Sequence, residues 1–139
     1  MAELTISQVA RQVGLRPSAV RYYEQERILP AARRVSGQRR YGVGAVYQLA
    51  VLRRAQEMGF TLEEIRQLFS GFRKSTPIST RWRKMAERKK IELEAQIDRV
   101  QTMKTLITRL EAGCHCDTVS QCGAGILRRG ISDTAPPAV

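Results

Sequence analysis

One histidine, one tryptophan and a 6% aromatic content leave this 139-residue chain poor in the side chains that usually build active sites. The scarcity of histidine removes the commonest general base, and no glycine-rich phosphate loop or paired-carboxylate motif replaces it, so an enzyme is not expected. No apolar run approaches the roughly 18 residues of a membrane span, and no secretory pattern opens the chain, so the expected location is cytoplasmic, without a membrane partner. Acid is short as well: 13 acidic residues face 24 basic ones, for a net charge of +11. Residues 1–74 hold 13 basic against 6 acidic residues, and residues 75–139 hold 11 against 7, so the excess lies with the N-terminal part. Such a surplus favours a polyanion and a binding strength that falls as salt rises. Cysteine is absent before residue 114. A disulfide framework is thereby excluded for most of the chain. The 42% hydrophobic content is enough for a folded core.

What is present begins with Ile6, Val9, Ala10 and Val13, one apolar stripe on a helix capped by Thr5 or Ser7. Gly14 suits a left-handed helix end and Pro17 the first turn of the next helix. On that second helix Ala19, Val20 and Tyr23 turn inward, while Ser18, Arg21, Tyr22 and Gln25 turn outward. The pattern is a helix-turn-helix. Between Pro30 and Tyr41 the chain carries Arg33, Arg34, Arg39 and Arg40 around a Ser36–Gly37 turn, with too few apolar residues for a core, and reads as a short hairpin wing. Forked guanidinium groups and phenols suit phosphate oxygens, which makes double-stranded DNA the expected partner. The candidate contacts are Arg16, Ser18, Arg21 and Tyr22 on the helix, and Arg34, Arg39, Arg40 and Tyr41 on the wing.

A helix from about Val43 to Met58, a Gly59 stop and a Thr61-capped helix with Glu63 and Glu64 in its first turn complete the head. Leu62, Ile65, Leu68 and Phe69 are expected to close it, and Arg53 and Arg54 to be solvated. The organisation expected is a DNA-binding head over 1–74, a polar hinge over 75–80, a dimerisation helix over 81–112, a cysteine loop with a short covering turn over 113–130, and a tail over 131–139. In the long helix Leu93, Ile97, Val100, Met103, Ile107 and Leu110 recur at steps of 4, 3, 3, 4 and 3, a coiled-coil seam. No second helix of that length exists to cover it, so a homodimer is expected. Trp82 and Met85 read as packing residues rather than a ligand pocket. The fold class is all-α with a small β wing.

VARQVGLRPSAVRYYEQERILP, SGQRRY, the helical pair, the long helix and the terminal cysteines together resemble the MerR family of transcription regulators over about residues 3–123. The resemblance implies a winged helix-turn-helix head and an antiparallel coiled-coil dimer. It also implies binding to a promoter palindrome whose overlong spacer is bent and untwisted on induction, so that RNA polymerase can initiate. Arg21, Tyr22, Arg39, Arg40 and Tyr41 match the family's DNA contacts.

Cys114, Cys116 and Cys122 lie together in GCHCDTVSQCG. In a reducing cytosol such clustering speaks for metal binding or redox sensing, and thiolates select soft ions. The Cys114–Cys122 interval is similar to the metal loop of the family's copper sensors and of their zinc-, mercury- and lead-sensing relatives. Its divalent-ion sensors carry a further cysteine 35 residues before the first loop cysteine, where this chain has Ser79. A two-thiolate site for Cu(I), Ag(I) or Au(I) is therefore implied, with Cys116 as a possible third ligand, Zn(II) open as an alternative, and His115 a weak candidate. The C-x-C-x5-C ending is also similar to that of the family's redox sensors, which hold a [2Fe–2S] cluster on four cysteines. Here Glu111 stands where the first of the four would be. An architectural DNA-binding protein or a metal-storage protein would share the charge or the thiols, but needs no combination of the two.

Overall fold

A computed structural model describes residues 3–130. The expected 131–139 tail lies outside them. The elements run β1 (Leu4–Thr5), α1 (Ile6–Val13), α2 (Pro17–Gln25), β2 (Arg33–Val35), β3 (Gln38–Tyr41), α3 (Val43–Glu57), α4 (Leu62–Ser70), α5 (Ile78–Gly113) and α6 (Val119–Arg129). They divide into two compact units, residues 1–86 and 87–139. The first unit thus extends past the expected boundary at 74 to include the start of α5.

Local chemistry sets the ends of these helices. Thr5 accepts from the Gln8 amide at 3.2 Å while Gln8 reaches back to the Thr5 amide at 2.8 Å, and Thr61 and Glu64 repeat this reciprocal cap at α4. Gly14 takes φ +66°, a backbone that favours glycine, and a Cβ there would lie 2.8 Å from the Arg53 guanidinium and displace it. That guanidinium donates to the Val13 and Gly14 carbonyls at 2.6 and 3.1 Å, capping α1 from α3. Arg53 is therefore a structural clamp rather than a solvated residue.

The wing is a three-stranded antiparallel sheet in the order β1-β3-β2. Leu4 pairs with Tyr41, and Arg33 with Arg40. Ser36 and Gly37 both have positive φ (52° and 77°), the backbone of a tight hairpin turn. The expected hairpin is present, but the added strand β1 joins it to the chain's start. Tyr41 becomes a core residue, 3% exposed, packed with Val9, Val20, Leu49, Leu52, Ile65 and Leu68.

The segment expected to be a hinge is held. α5 starts at Ile78, inside the expected 75–80 stretch, and Arg81 donates from its first turns to the carbonyls of Leu68 and Phe69 at 3.1 Å, Thr76 at 3.1 Å and Arg73 at 3.2 Å. Its guanidinium also stands over the Phe72 ring. Trp82 meets Phe60 edge-on with ring centroids 5.7 Å apart, and Met85 is buried, as their reading as packing residues requires. In the second unit the residues Leu93, Ile97, Val100, Met103, Ile107 and Leu110 are all exposed. No helix among the described residues is long and apolar enough to cross a membrane.

Burial, reinforced by the Glu24 carboxylate, pushes the Tyr41 phenol up to about 12 from 10.0. Its contribution to stability is complete below pH 10 and is lost as the pH rises from about 10 to about 12. Tyr41→Phe should cost about 1–2 kcal/mol at neutral pH in urea unfolding. The gap between wild type and variant should shrink across that alkaline window; a constant gap would show that the folded head does not raise the phenol above its ordinary range.

Candidate nucleic-acid interface and thiol cluster

Helix α2 opens at Arg16, with Pro17 in its first turn and no side chain capping its N-terminus. Arg16, Ser18, Arg21 and Tyr22 are exposed on it. Tyr22 is braced edge-on by the Tyr23 ring, centroids 5.6 Å apart, and Tyr23 is itself buried in the core. Outward donors on a helix anchored by its inner face are what the apolar spacing of α2 prescribes.

The wing is fastened to α2 through Glu24. One carboxylate oxygen accepts from the Ala32 amide at 2.8 Å, and the other accepts from the Tyr41 hydroxyl at 2.8 Å. The Arg39 Nε lies 3.2 Å from that second oxygen, off the line of a good hydrogen bond, so their attraction is mainly one of charge. Sequence reasoning missed Glu24. Its signal was available: only Glu24 and Glu26 are acidic between residues 4 and 41, and an acid amid so much positive charge needs a partner. Glu26 is likewise engaged: its carboxylate lies 3.6 Å from the Arg66 guanidinium of α4, which also donates to the Glu26 backbone carbonyl at 2.6 Å.

The wing residues therefore divide. Arg34 is exposed, with Nη1 3.4 Å from the Gly37 carbonyl across the turn. Arg40 is half-buried and lines a cleft with Thr5, Ser7 and Gln38, while its Nη1 is buried and has no hydrogen-bond partner. Arg39 is turned toward Glu24. Tyr41, expected as a DNA contact, is corrected: its ring is in the core and its only proton is given to Glu24.

At the far end of the chain, α5 stops at Gly113 and the Cys114 amide still donates to the Leu110 carbonyl at 2.9 Å. Thr118 caps α6 by accepting from the Gln121 amide at 3.1 Å, and the Gln121 side chain accepts from the Asp117 amide at 2.9 Å. Cys122 consequently stands on the first turn of an 11-residue helix. The expected covering turn is longer than anticipated, and Ile126 and Leu127 are exposed instead of covering the cysteines.

The Sγ atoms of Cys114, Cys116 and Cys122 lie within 4.8 Å of one another. All three thiols are free, Cys114 and Cys116 exposed and Cys122 half-buried. His115 is not part of this group. The Cys116 amide and thiol, donating toward Cys114, hold the Cys114 thiol below its ordinary range, with a smaller contribution from the charge of Arg129. Cys116 is pushed up, first by that same hydrogen bond to Cys114. Soft sulfur donors this close fit one thiophilic ion. A [2Fe–2S] cluster ordinarily takes four protein ligands, and this group supplies three.

Two family models match the chain, one described as MerR HTH family regulatory protein over residues 4–71 and one as MerR, DNA binding over residues 46–110. The chain is 32% identical over 120 residues to Heavy metal-dependent transcription regulator 2 of Rhizobium meliloti, covering 86% of this chain and 82% of that protein. It is also 32% identical over 120 residues to the HTH-type transcriptional regulator CueR of Salmonella typhimurium, covering 86% and 87%. Among solved structures, the regulator PbrR691 of Ralstonia metallidurans in complex with lead(II) superposes with a TM-score of 0.71 at 23% identity, covering 86% of this chain and 94% of that one.

Because the thiolate is the reactive form, Cys114 should alkylate at lower pH than Cys116 in the reduced, metal-free protein. Mass spectrometry after brief iodoacetamide treatment across pH 6–10 checks the order, and earlier labelling of Cys116 would contradict it.

Proposed function

The chain belongs to the MerR family of HTH regulatory proteins, and from that premise we propose a homodimeric, DNA-binding transcription regulator whose inducer is a thiophilic metal ion held by its C-terminal cysteines. The observation that carries this reading is the gathering of three sulfurs within 4.8 Å at the end of α5, a continuous helix that begins inside the DNA-binding unit. A regulator needs both a reading head and a sensing site, whereas an architectural or storage protein needs only one. Metal dependence in the name of a relative 32% identical, and lead(II) in a structural neighbour, support the class of inducer.

DNA contacts are assigned to Arg16, Ser18, Arg21 and Tyr22 on α2, and to Arg34 and Arg40 on the wing. Arg39 and Tyr41 act behind them, holding the wing to α2 through Glu24. The dimer forms along Leu93, Ile97, Val100, Met103, Ile107 and Leu110, an exposed seam whose spacing is that of a coiled coil. Pairing two heads about a two-fold axis matches a palindrome in a promoter. Cys114 and Cys122 bracket the segment between α5 and α6, and bringing both onto one ion fixes α6 against the end of α5. Two discrete arrangements of that segment give the heads two settings, one of which distorts the promoter spacer for RNA polymerase. Ser79, where the family's divalent-ion sensors carry a cysteine, favours a monovalent ion of the copper group as the physiological signal. A redox reading through an iron–sulfur cluster has less support, because the fourth cysteine is replaced by Glu111.

Cys114→Ser or Cys122→Ser should leave operator affinity within about twofold while abolishing metal-dependent transcription. Anisotropy on promoter DNA together with in vitro transcription measures both. Loss of operator binding would mean that the thiols support the fold instead of the signal. Operator affinity should also fall steeply with salt, log Kd changing by about 0.9 per phosphate contact for each unit of log salt; a flat salt dependence would remove the arginine assignments.

A further inference from the structure

The geometry points to Cys116 as a third thiolate ligand, so that one chain by itself completes a three-sulfur site for a soft divalent ion of the Cd(II), Hg(II) or Pb(II) class. This rests on the reading of Cys114 and Cys122 as metal ligands and extends it to the ions that the pair alone would hold poorly.

Three sulfurs arranged evenly around one ion in a plane are separated by √3 times the bond length. With a metal–sulfur bond of about 2.3 Å the separation is about 4.0 Å, and it grows for heavier ions. The three Sγ atoms all lie within 4.8 Å of one another, so small side-chain rotations bring them to that spacing without moving a helix. The backbone around them is already defined. Cys114 continues the hydrogen bonding of α5, the Asp117–Thr118–Gln121 cap fixes the chain just after Cys116, and Cys122 is in the first turn of α6. Cys116 is exposed, in no disulfide, and beside both other thiols. Nothing in the packing of the core calls for it.

Charge gives the third thiolate its purpose. Two thiolates around a monovalent ion carry a net charge of −1, and the same two around a divalent ion carry none. Adding the Cys116 thiolate restores −1 for the divalent ion. Arg128 and Arg129, in the last turn of α6 and folded back toward buried Gly125, provide cations on the helix that bears Cys122. A divalent ion on three sulfurs therefore presents the chain with the same net charge as a monovalent ion on two. Soft sulfur ligands exclude hard ions such as Mg(II) in both arrangements.

The test uses the full chain, reduced and metal-free under anaerobic conditions, titrated with Cd(II) and separately with Ag(I). The intensity of the ultraviolet sulfur-to-cadmium absorption counts the Cd–S bonds, and the endpoint gives ions per chain. Wild type should bind one Cd(II) per chain with the absorption of three thiolates. Cys116→Ser should lose about one third of that intensity and more than about tenfold in Cd(II) affinity, since removing even an outer-shell partner costs 10–100-fold. Its Ag(I) affinity should stay within about threefold, and its circular dichroism should match wild type because the side chain is exposed. Unchanged Cd(II) absorption and affinity in Cys116→Ser would overturn the proposal while leaving Cys114 and Cys122 as ligands. Retention of both ions by Cys114→Ser would overturn the metal-sensing reading itself, and this proposal with it.

Discussion

A single carboxylate, that of Glu24, ties the wing to helix α2. It projects from α2 into a region rich in arginine and accepts from the backbone at Ala32 and from Tyr41, with Arg39 drawn in by charge. Hydrogen bonds to an ionised acceptor are shorter and stronger than neutral ones, and these are partly shielded from water. The outcome is one rigid piece in which the outward residues of α2 keep a set relation to those of the wing. Glu24 shares that task with the buried Tyr41 ring and with β1, which runs directly into α1.

Arginine serves two purposes in this chain. Arg53, Arg66 and Arg81 spend their guanidinium groups on backbone carbonyls at the ends of α1, α2 and α4, where the last turn of a helix leaves acceptors unmet and carries partial negative charge. Arg16, Arg21 and Arg34 remain on the surface. The high positive charge is therefore not all available to a polyanion, and the stability of the head and its affinity for DNA draw on the same residue type. Arg81 has a particular place, because it ties the start of α5 to the end of α4.

The second unit is organised in a contrasting way. Its long helix presents apolar residues to solvent, and its thiols sit where two helices meet at a short connector. An uncovered seam and an open set of soft donors both leave binding capacity unused, and on the function proposed above a second copy takes the first and an ion the second. The seam lies along α5 and the thiols follow its end.

Sequence by itself determined what depends on near neighbours. The apolar spacing of α1 to α4, the left-handed Gly14, Pro17 in the first turn of α2, the Thr61 cap, the Ser36–Gly37 turn, the long helix with its row of apolar residues and the clustering of the thiols are each properties of nearby residues, and each was legible. Tertiary structure alone decided the third strand of the wing, the burial of Tyr41, the clamping roles of Arg53 and Arg81 and the use of Glu24, because each involves a partner 8 to 40 positions away. Local pattern reading treats arginine and tyrosine in a basic segment as surface groups, since nothing nearby offers them a partner. The length of α6 fell between these cases: its Thr118 cap was in the sequence, but the glycines at 123 and 125 hid a helix that carries Cys122 into the cluster. Chain chemistry dictates which residues can bind DNA or metal, and folding dictates which of them are left free to do so.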